Sequence, residues 1–234
     1  MKLEICANSY QSALNAEKAG ADRIELCSEL SIGGITPSYG ILEKISKEIT
    51  IPVNVLIRPR SGNFCYTDDE FEVMKTNIKI CKELGFNGIV SGILNPDNSI
   101  DIKRTRELIA ISKPLSFTFH RAFDCVQNPK ESLQQLINLK VDRILTSGLQ
   151  EKAKNGINLL IELQEIAKNK LIILPGSGIQ QKNVLHFKKA GFKEIHASAS
   201  KITNKEISIF FGNTKQTVSS VENIEAILKI LKDA

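Results

Sequence analysis

Ala19-Gly-Ala-Asp-Arg-Ile-Glu-Leu26 and Leu139-Lys-Val-Asp-Arg-Ile-Leu-Thr146 follow one plan: a helix end, a tight turn, then a short β-type run. Leu84-Gly-Phe-Asn-Gly-Ile-Val90 and Ala190-Gly-Phe-Lys-Glu-Ile-His196 repeat it. Gly just past a helix supplies the left-handed residue that ends it. These four segments introduce the even members of eight β-type runs, at 3–6, 23–27, 53–58, 88–92, 115–120, 143–147, 171–174 and 194–198. The odd members enter differently, through Ile51-Pro52, Lys113-Pro114 or Asn169-Lys170. Starts fall about 20–35 residues apart, the length of a strand plus a crossover helix. Eight βα units with a two-unit rhythm predict an α/β protein, a (β/α)8 TIM barrel forming one domain over residues 1–234. A doubly wound open sheet would carry a Gly-rich fingerprint after its first strand, and that loop reads Ala7-Asn8-Ser9.

Helix starts support the count. Thr36-Pro37 and Asn128-Pro129 each place a capping residue before Pro at a first helical position. Thr67-x-x-Glu70 and Ser219-x-x-Glu222 read as capping boxes. Val221, Ile224, Ile227, Leu228 and Leu231 form the apolar stripe of a last helix.

With 42% hydrophobic and 24% charged residues the 234-residue chain is a globular mixture, and a disordered or collagen-like chain is excluded. Aromatics are 6% and Trp is absent, so the core rests on Ile, Leu, Val and Ala. The net charge of +5 is scattered, which argues against nucleic acid as a partner. No apolar run reaches the roughly 18–20 residues of a membrane span. The start, Met1-Lys2-Leu3-Glu4-Ile5-Cys6, lacks a signal-like apolar core. Five widely spaced Cys, with no C-x-x-C, suit neither a disulfide framework nor a zinc ribbon. A soluble protein of the reducing cytoplasm is expected.

In a barrel the apolar set of each strand faces the helices and the alternate set faces the interior. Leu3 and Ile5, Ile24 and Leu26, Val53, Val55 and Ile57, Leu115, Phe117 and Phe119, and Ile195 and Ala197 form the outward sets. Glu4, Cys6, Arg23, Glu25, Cys27, Asn54, Leu56, Arg58, Ser116, Thr118, His120, Glu194, His196 and Ser198 are left inside. Ordinary barrel centres are filled by Val, Ile and Leu. Here Glu4, Glu25, Arg58, His120 and His196 must pair with one another or with a ligand, because an unpaired buried ion costs several kcal/mol. They constitute either a structural ion-pair network at the barrel bottom or a site at the C-terminal strand ends. His186 falls in a helix pattern and reads as a surface or packing residue.

The loops after the strands suggest an anion site. Arg58-Pro-Arg60-Ser-Gly62 suits a carboxylate or phosphate clamp. Ser147-Gly148 and Gly176-Ser177-Gly178 let backbone N–H groups approach an anion, in the region where barrels commonly bind phosphate. Cys6 and Cys27 end adjacent strands, which lie about 4.8 Å apart, so the thiols either meet as a soft Cu(I) site or pack as small apolar residues.

The chain resembles the CutC family of copper homeostasis proteins. The matching stretches are Glu4-Ile-Cys6, Gly20-Ala-Asp-Arg-Ile-Glu-Leu-Cys27, Gly33-Gly-Ile-Thr-Pro-Ser38, Leu56-Ile-Arg-Pro-Arg-Ser-Gly-Asn-Phe-Cys-Tyr66, Thr118-Phe-His-Arg-Ala-Phe-Asp124, Leu145-Thr-Ser-Gly148, the turn from Pro175 to Gly178, and His196-Ala-Ser198. Pro-Gly-Ser-Gly stands where members often have Gly-Gly-Gly or Ala-Gly-Ala-Gly. The tail from Lys201, including Ile207-Ser-Ile-Phe-Phe211, departs from the pattern. The resemblance implies a (β/α)8 barrel, a cytoplasmic location, a homo-oligomer with a dimer favoured, and a role in copper handling.

Two functions stay open. In one, Cys6 and Cys27 take Cu(I) as thiolates, with His196 or His120 as extra ligands. In the other, an enzyme acts on a small anionic metabolite. Arg58, Arg60, Ser147, Gly148, Gly176, Ser177 and Gly178 would hold the anion, and catalysis would fall to Glu4, Glu25, His120 and His196. Glu25 or Glu4 would be general base and His120 general acid or electrophile. A barrel that binds a metabolite without turning it over is a third option.

Overall fold

Outward-facing apolar positions of short strands, packed on amphipathic helices, build the ring. The computed structural model describes residues 1–204 and 216–233. The strands are β1 (Lys2–Ala7), β2 (Arg23–Leu26), β3 (Val53–Leu56), β4 (Gly88–Ser91), β5 (Ser116–Phe119), β6 (Arg143–Thr146), β7 (Ile172–Pro175) and β8 (Glu194–Ala197). The helices that alternate with them are α1 (Tyr10–Lys18), α2 (Tyr39–Glu48), α3 (Asp68–Glu83), α4 (Ile102–Ser112), α5 (Pro129–Asn138), α6 (Ile157–Ala167), α7 (Gln181–Lys189) and α8 (Val221–Asp233). The strands pair in parallel in chain order, β1 returns to pair with β8, and β7 packs beside β8 to close the expected barrel.

The inward and outward sets follow the expected phase. Leu3, Ile5, Ile24, Leu26, Val55, Ile57 and Ile195 are fully buried in the layer between strands and helices. Each such side chain contributes about 1.5–3 kcal/mol relative to exposure. Cys6, Cys27, Leu56 and Val90 form a separate apolar cluster inside the ring. Regular strand ends before Arg58 and His120, yet Ile57 N–H donates to Val90 O at 2.8 Å and His120 N–H to Ser91 O at 3.0 Å. The ladder therefore carries its parity past the regular span.

Thr67 and Glu70 make a reciprocal capping box on α3, and Asn128 precedes Pro129 at the start of α5. Two expected caps are displaced. Helix α2 starts at Tyr39 after Ser38, because Thr36 braces β3: its hydroxyl accepts Arg58 N–H at 2.8 Å and donates to Arg58 O at 3.1 Å. Ser219 ends a strand, so Ser220 precedes α8 and accepts Asn223 N–H at 3.4 Å. The apolar stripe of α8 buries Ile224, Ile227, Leu228 and Leu231 as expected.

Between β8 and α8 the chain adds an antiparallel pair unforeseen in the sequence, β9 (Ser200–Asn204) and β10 (Gln216–Ser219). It is tied to the first βα unit: Asn8 Nδ2 donates to Thr217 O at 3.1 Å, Asn15 Nδ2 to Ser219 O at 2.8 Å, and Ser219 N–H to Ser12 Oγ at 3.1 Å. The segment 207–211, noted above as departing from the family pattern, lies outside the described residues. Among the described residues no helix is long and apolar enough to cross a membrane.

Candidate functional site

The polar interior divides into two storeys. The lower storey is a buried ion network. Arg23 Nε donates to Glu4 Oε2 at 2.5 Å and Arg23 Nη2 to Glu194 Oε2 at 2.6 Å; Arg143 Nε donates to the same Glu194 oxygen at 2.8 Å. Register explains the meeting, since Glu4 stands opposite Arg23 on one side and His196 on the other. Glu4 was a candidate base. Burial alone would raise its pKa, but the His196 hydrogen bond and the Arg23 charge outweigh that and hold it at about 2. It does not line the cavity, and its carboxylate is spent on Arg23 and on His196 Nδ1, 2.8 Å away.

The upper storey opens into a cavity of about 630 Å³ at the C-terminal strand ends, walled by Cys6, Glu25, Arg58, Phe64, His120 and His196. Ser177, Gly178 and Lys182 lie on its rim. Donor atoms of Cys6, Glu25 and His196 lie within 4.8 Å of one another, and the Sγ atoms of Cys6 and Cys27 are 3.7 Å apart. Cys27 is wholly buried behind Cys6. The hydrogen bond with Cys27 and burial push the Cys6 thiol well above its ordinary range. Burial lifts Glu25 to about 7, with the Glu4 charge adding to the rise. Burial would depress His196, yet hydrogen bonds to Cys6 and Glu4 and the Glu25 charge raise it well above the usual imidazole value. Burial and then the Arg58 charge press His120 down to about 3.

Glycines make room for these rings. A Cβ at residue 92 would come within 2.7 Å of His120 Nδ1, and one at residue 176 within 2.5 Å of Leu145 Cδ1 and 3.3 Å of His196 Cδ2. Gly176 thus makes room for Leu145 and His196 rather than presenting its own N–H, which donates to Thr146 O at 3.0 Å.

Of the two arginines expected to clamp an anion, Arg58 lines the cavity and Arg60 does not. Arg58 Nη1 donates to Ile32 O at 2.9 Å and Gly34 O at 2.8 Å, and Nη2 to Gly62 O at 2.9 Å, leaving Nε buried without a partner. Arg60 turns away from the cavity: Nε donates to Glu70 at 2.5 Å and Nη2 to Cys65 O at 2.7 Å. Ser147 and Gly148 also lie off the cavity wall, because an internal carboxylate fills the turn after β6. Asp124 accepts Ser147 N–H at 3.0 Å, Leu149 N–H at 3.3 Å and the Thr146 hydroxyl, and pairs with Arg121 Nε at 2.7 Å. The sequence reading missed Asp124 in this role; the signal was an acid four residues after His120, but its partners lie 22–25 residues further on.

A ring of eight βα units with a cavity at its C-terminal face defines a (β/α)8 barrel. The chain belongs to the CutC family, whose model matches residues 1–201. It is 48% identical over 201 residues to a CutC family protein of Yersinia enterocolitica, covering 86% of this chain and 79% of that one. To the Klebsiella pneumoniae relative it is 47% identical over 197 residues, with 84% and 79% covered. Among solved structures, a CutC protein of Streptococcus agalactiae proposed to act in copper homeostasis superposes with a TM-score of 0.80 at 34% identity, covering 85% of this chain and 98% of that one.

Proposed function

We propose that the cavity floor binds Cu(I) as its cargo, through the thiolates of Cys6 and Cys27. The supporting observation is the 3.7 Å separation of the two sulfurs. Metal–sulfur bonds of about 2.3 Å allow sulfurs sharing one ion to lie up to about 4.6 Å apart. Two thiols form a donor set suited to a soft monovalent ion. The Streptococcus relative's proposed role in copper homeostasis agrees with this reading, as does a reducing cytoplasm for five free cysteines. An anaerobic Cu(I) titration against a competing chelator tests it. Cys6→Ser or Cys27→Ser should weaken binding at least 100-fold, since an alcohol is a poor soft ligand. Wild-type affinity in both variants removes the thiol pair from consideration.

A second reading is favoured by the size of the cavity. About 630 Å³ falls in the range of small-molecule pockets and far exceeds the space of one ion. In this reading the cavity takes a small anionic metabolite, its charged end between Arg58 and the Ser177–Gly178 turn. Phosphate or citrate should then raise the melting temperature by mass action, and Arg58→Ala should diminish that rise. An equal rise in the variant counts against Arg58.

A further inference from the structure

A thiol, a carboxylate and an imidazole from three neighbouring strands meet on the cavity wall. Cys6 on β1 stands directly opposite Glu25 on β2, and His196 on β8 stands opposite Glu4, two residues before Cys6. All three line the cavity and are buried, with exposures of 4%, 5% and 8%. Their donor atoms lie within 4.8 Å of one another, and Cys27 is not part of the group. Glu25 Oε2 has no hydrogen-bond partner among the described residues and stands 3.9 Å from His196 Nδ1, too far for a hydrogen bond. An oxygen shut off from water in this way suits a bare ion held between donors, which needs no water-sized void.

The donor set selects the ion. Thiolate, imidazole and carboxylate are together the ligand types of zinc. Bonds of about 2.0–2.3 Å place two donors on one tetrahedral ion about 3.3–3.6 Å apart. A pair at the 4.8 Å limit therefore closes by little more than about 1 Å, a side-chain adjustment. Ionised, Cys6 and Glu25 supply two negative charges, the number that neutralises a dication in a buried place. Glu4 Oε1, 2.8 Å from His196 Nδ1, accepts from that nitrogen and leaves the ring's lone pair on Nε2.

We infer that Cys6, Glu25 and His196 form a site for a divalent cation of the zinc class, sharing only Cys6 with the thiol pair. The site goes beyond the Cu(I) reading and does not depend on it. Binding sends the protons held by the three groups to solvent, and no other bond changes. Cys27 keeps its thiol and, 3.7 Å from Cys6 Sγ, donates to that sulfur. Three protein donors leave a fourth position for water or a cavity ligand, the pattern of catalytic rather than closed structural zinc sites. Cys6 cannot serve both ions, so Cu(I) and the divalent cation exclude one another. A soft ion draws on Cys27 and a borderline one on Glu25 and His196.

The test titrates the full chain anaerobically with Co2+, whose thiolate charge-transfer and visible d–d bands report its ligands, and then displaces it with Zn2+. Cys6→Ser should abolish the charge-transfer band. Glu25→Gln and His196→Gln should weaken Co2+ binding at least about 100-fold, since outer partners of a metal site alone are worth about 10–100-fold. Glu25→Asp, which keeps the carboxylate, should recover part of that loss, and Cys27→Ser should stay close to wild type. A cooperative thermal melt of each variant shows that it is folded. Cu(I) titration of the same preparations should run the other way, lost in Cys27→Ser and kept in Glu25→Gln. No thiolate band in the wild type overturns the site, as does a band that survives Cys6→Ser and so belongs to an outlying thiol such as Cys125. Equal loss of Co2+ in Cys27→Ser and Cys6→Ser assigns both metals to the thiol pair and overturns the second ligand set. Co2+ bound by the trio in a chain that takes no Cu(I) supports the site and removes the copper reading alone.

Discussion

The environment of Glu25 works against its own charge. Burial raises it from the ordinary 4.5 to about 7, so the folded state holds a proton there that the unfolded chain has lost. The sign follows from proton counts: the associated stability is fully present below pH 4.5 and is lost as pH rises through 7. Glu25→Gln cannot ionise and escapes that loss. Its stability relative to wild type should therefore climb between pH 5 and pH 8, by up to about 3 kcal/mol. Denaturant melts at the two pH values measure this, and a difference that stays constant would contradict the buried, proton-holding carboxyl. Parity alone made the inward position of Glu25 legible in the sequence. The division of labour between Glu25 and Glu4 was not legible, because it depends on Arg23 and His196 flanking Glu4 across two strand pairings.

At the scale of elements, the turn after β6 behaves as an anion site with its anion built in. Asp124 gathers two backbone N–H groups and the hydroxyls of Thr146 and Ser147. Asp124→Ala strands those donors and should cost about 2–3 kcal/mol. Added sulfate should return part of it by entering the vacated turn. A chemical-denaturation series with and without sulfate decides the matter: equal sulfate effects in variant and wild type would mean that the turn collapses instead. The same scale shows where sequence reading stops. Ser147-Gly148 advertises N–H groups, but which carboxylate fills them is a long-range fact. Arg60 advertises charge, but Glu70, the capping residue of α3, claims it. Thr36-Pro37 looks like a helix start, yet tertiary demand recruits Thr36 to hold β3. Helix caps with purely local partners, such as Thr67 with Glu70, were readable.

At the scale of the whole molecule, period-two patterning and repeated helix–turn–strand joints were sufficient for the ring, because both are local signals repeated around it. The hairpin of β9 and β10 was hidden: its bonds run to α1 and the loop before it, some two hundred residues back. That tie, together with the β1–β8 pairing, has a consequence in time. β1 leaves the ribosome before β8, which follows nearly two hundred residues later. At about 5–20 residues per second, one edge of β1 stays bare for roughly 10–40 s of synthesis. A bare strand edge is a template for pairing with other chains. The ion network under the cavity is completed only at the end of that interval, because Glu194 and His196, which pair with Arg23, Arg143 and Glu4, arrive with β8 itself.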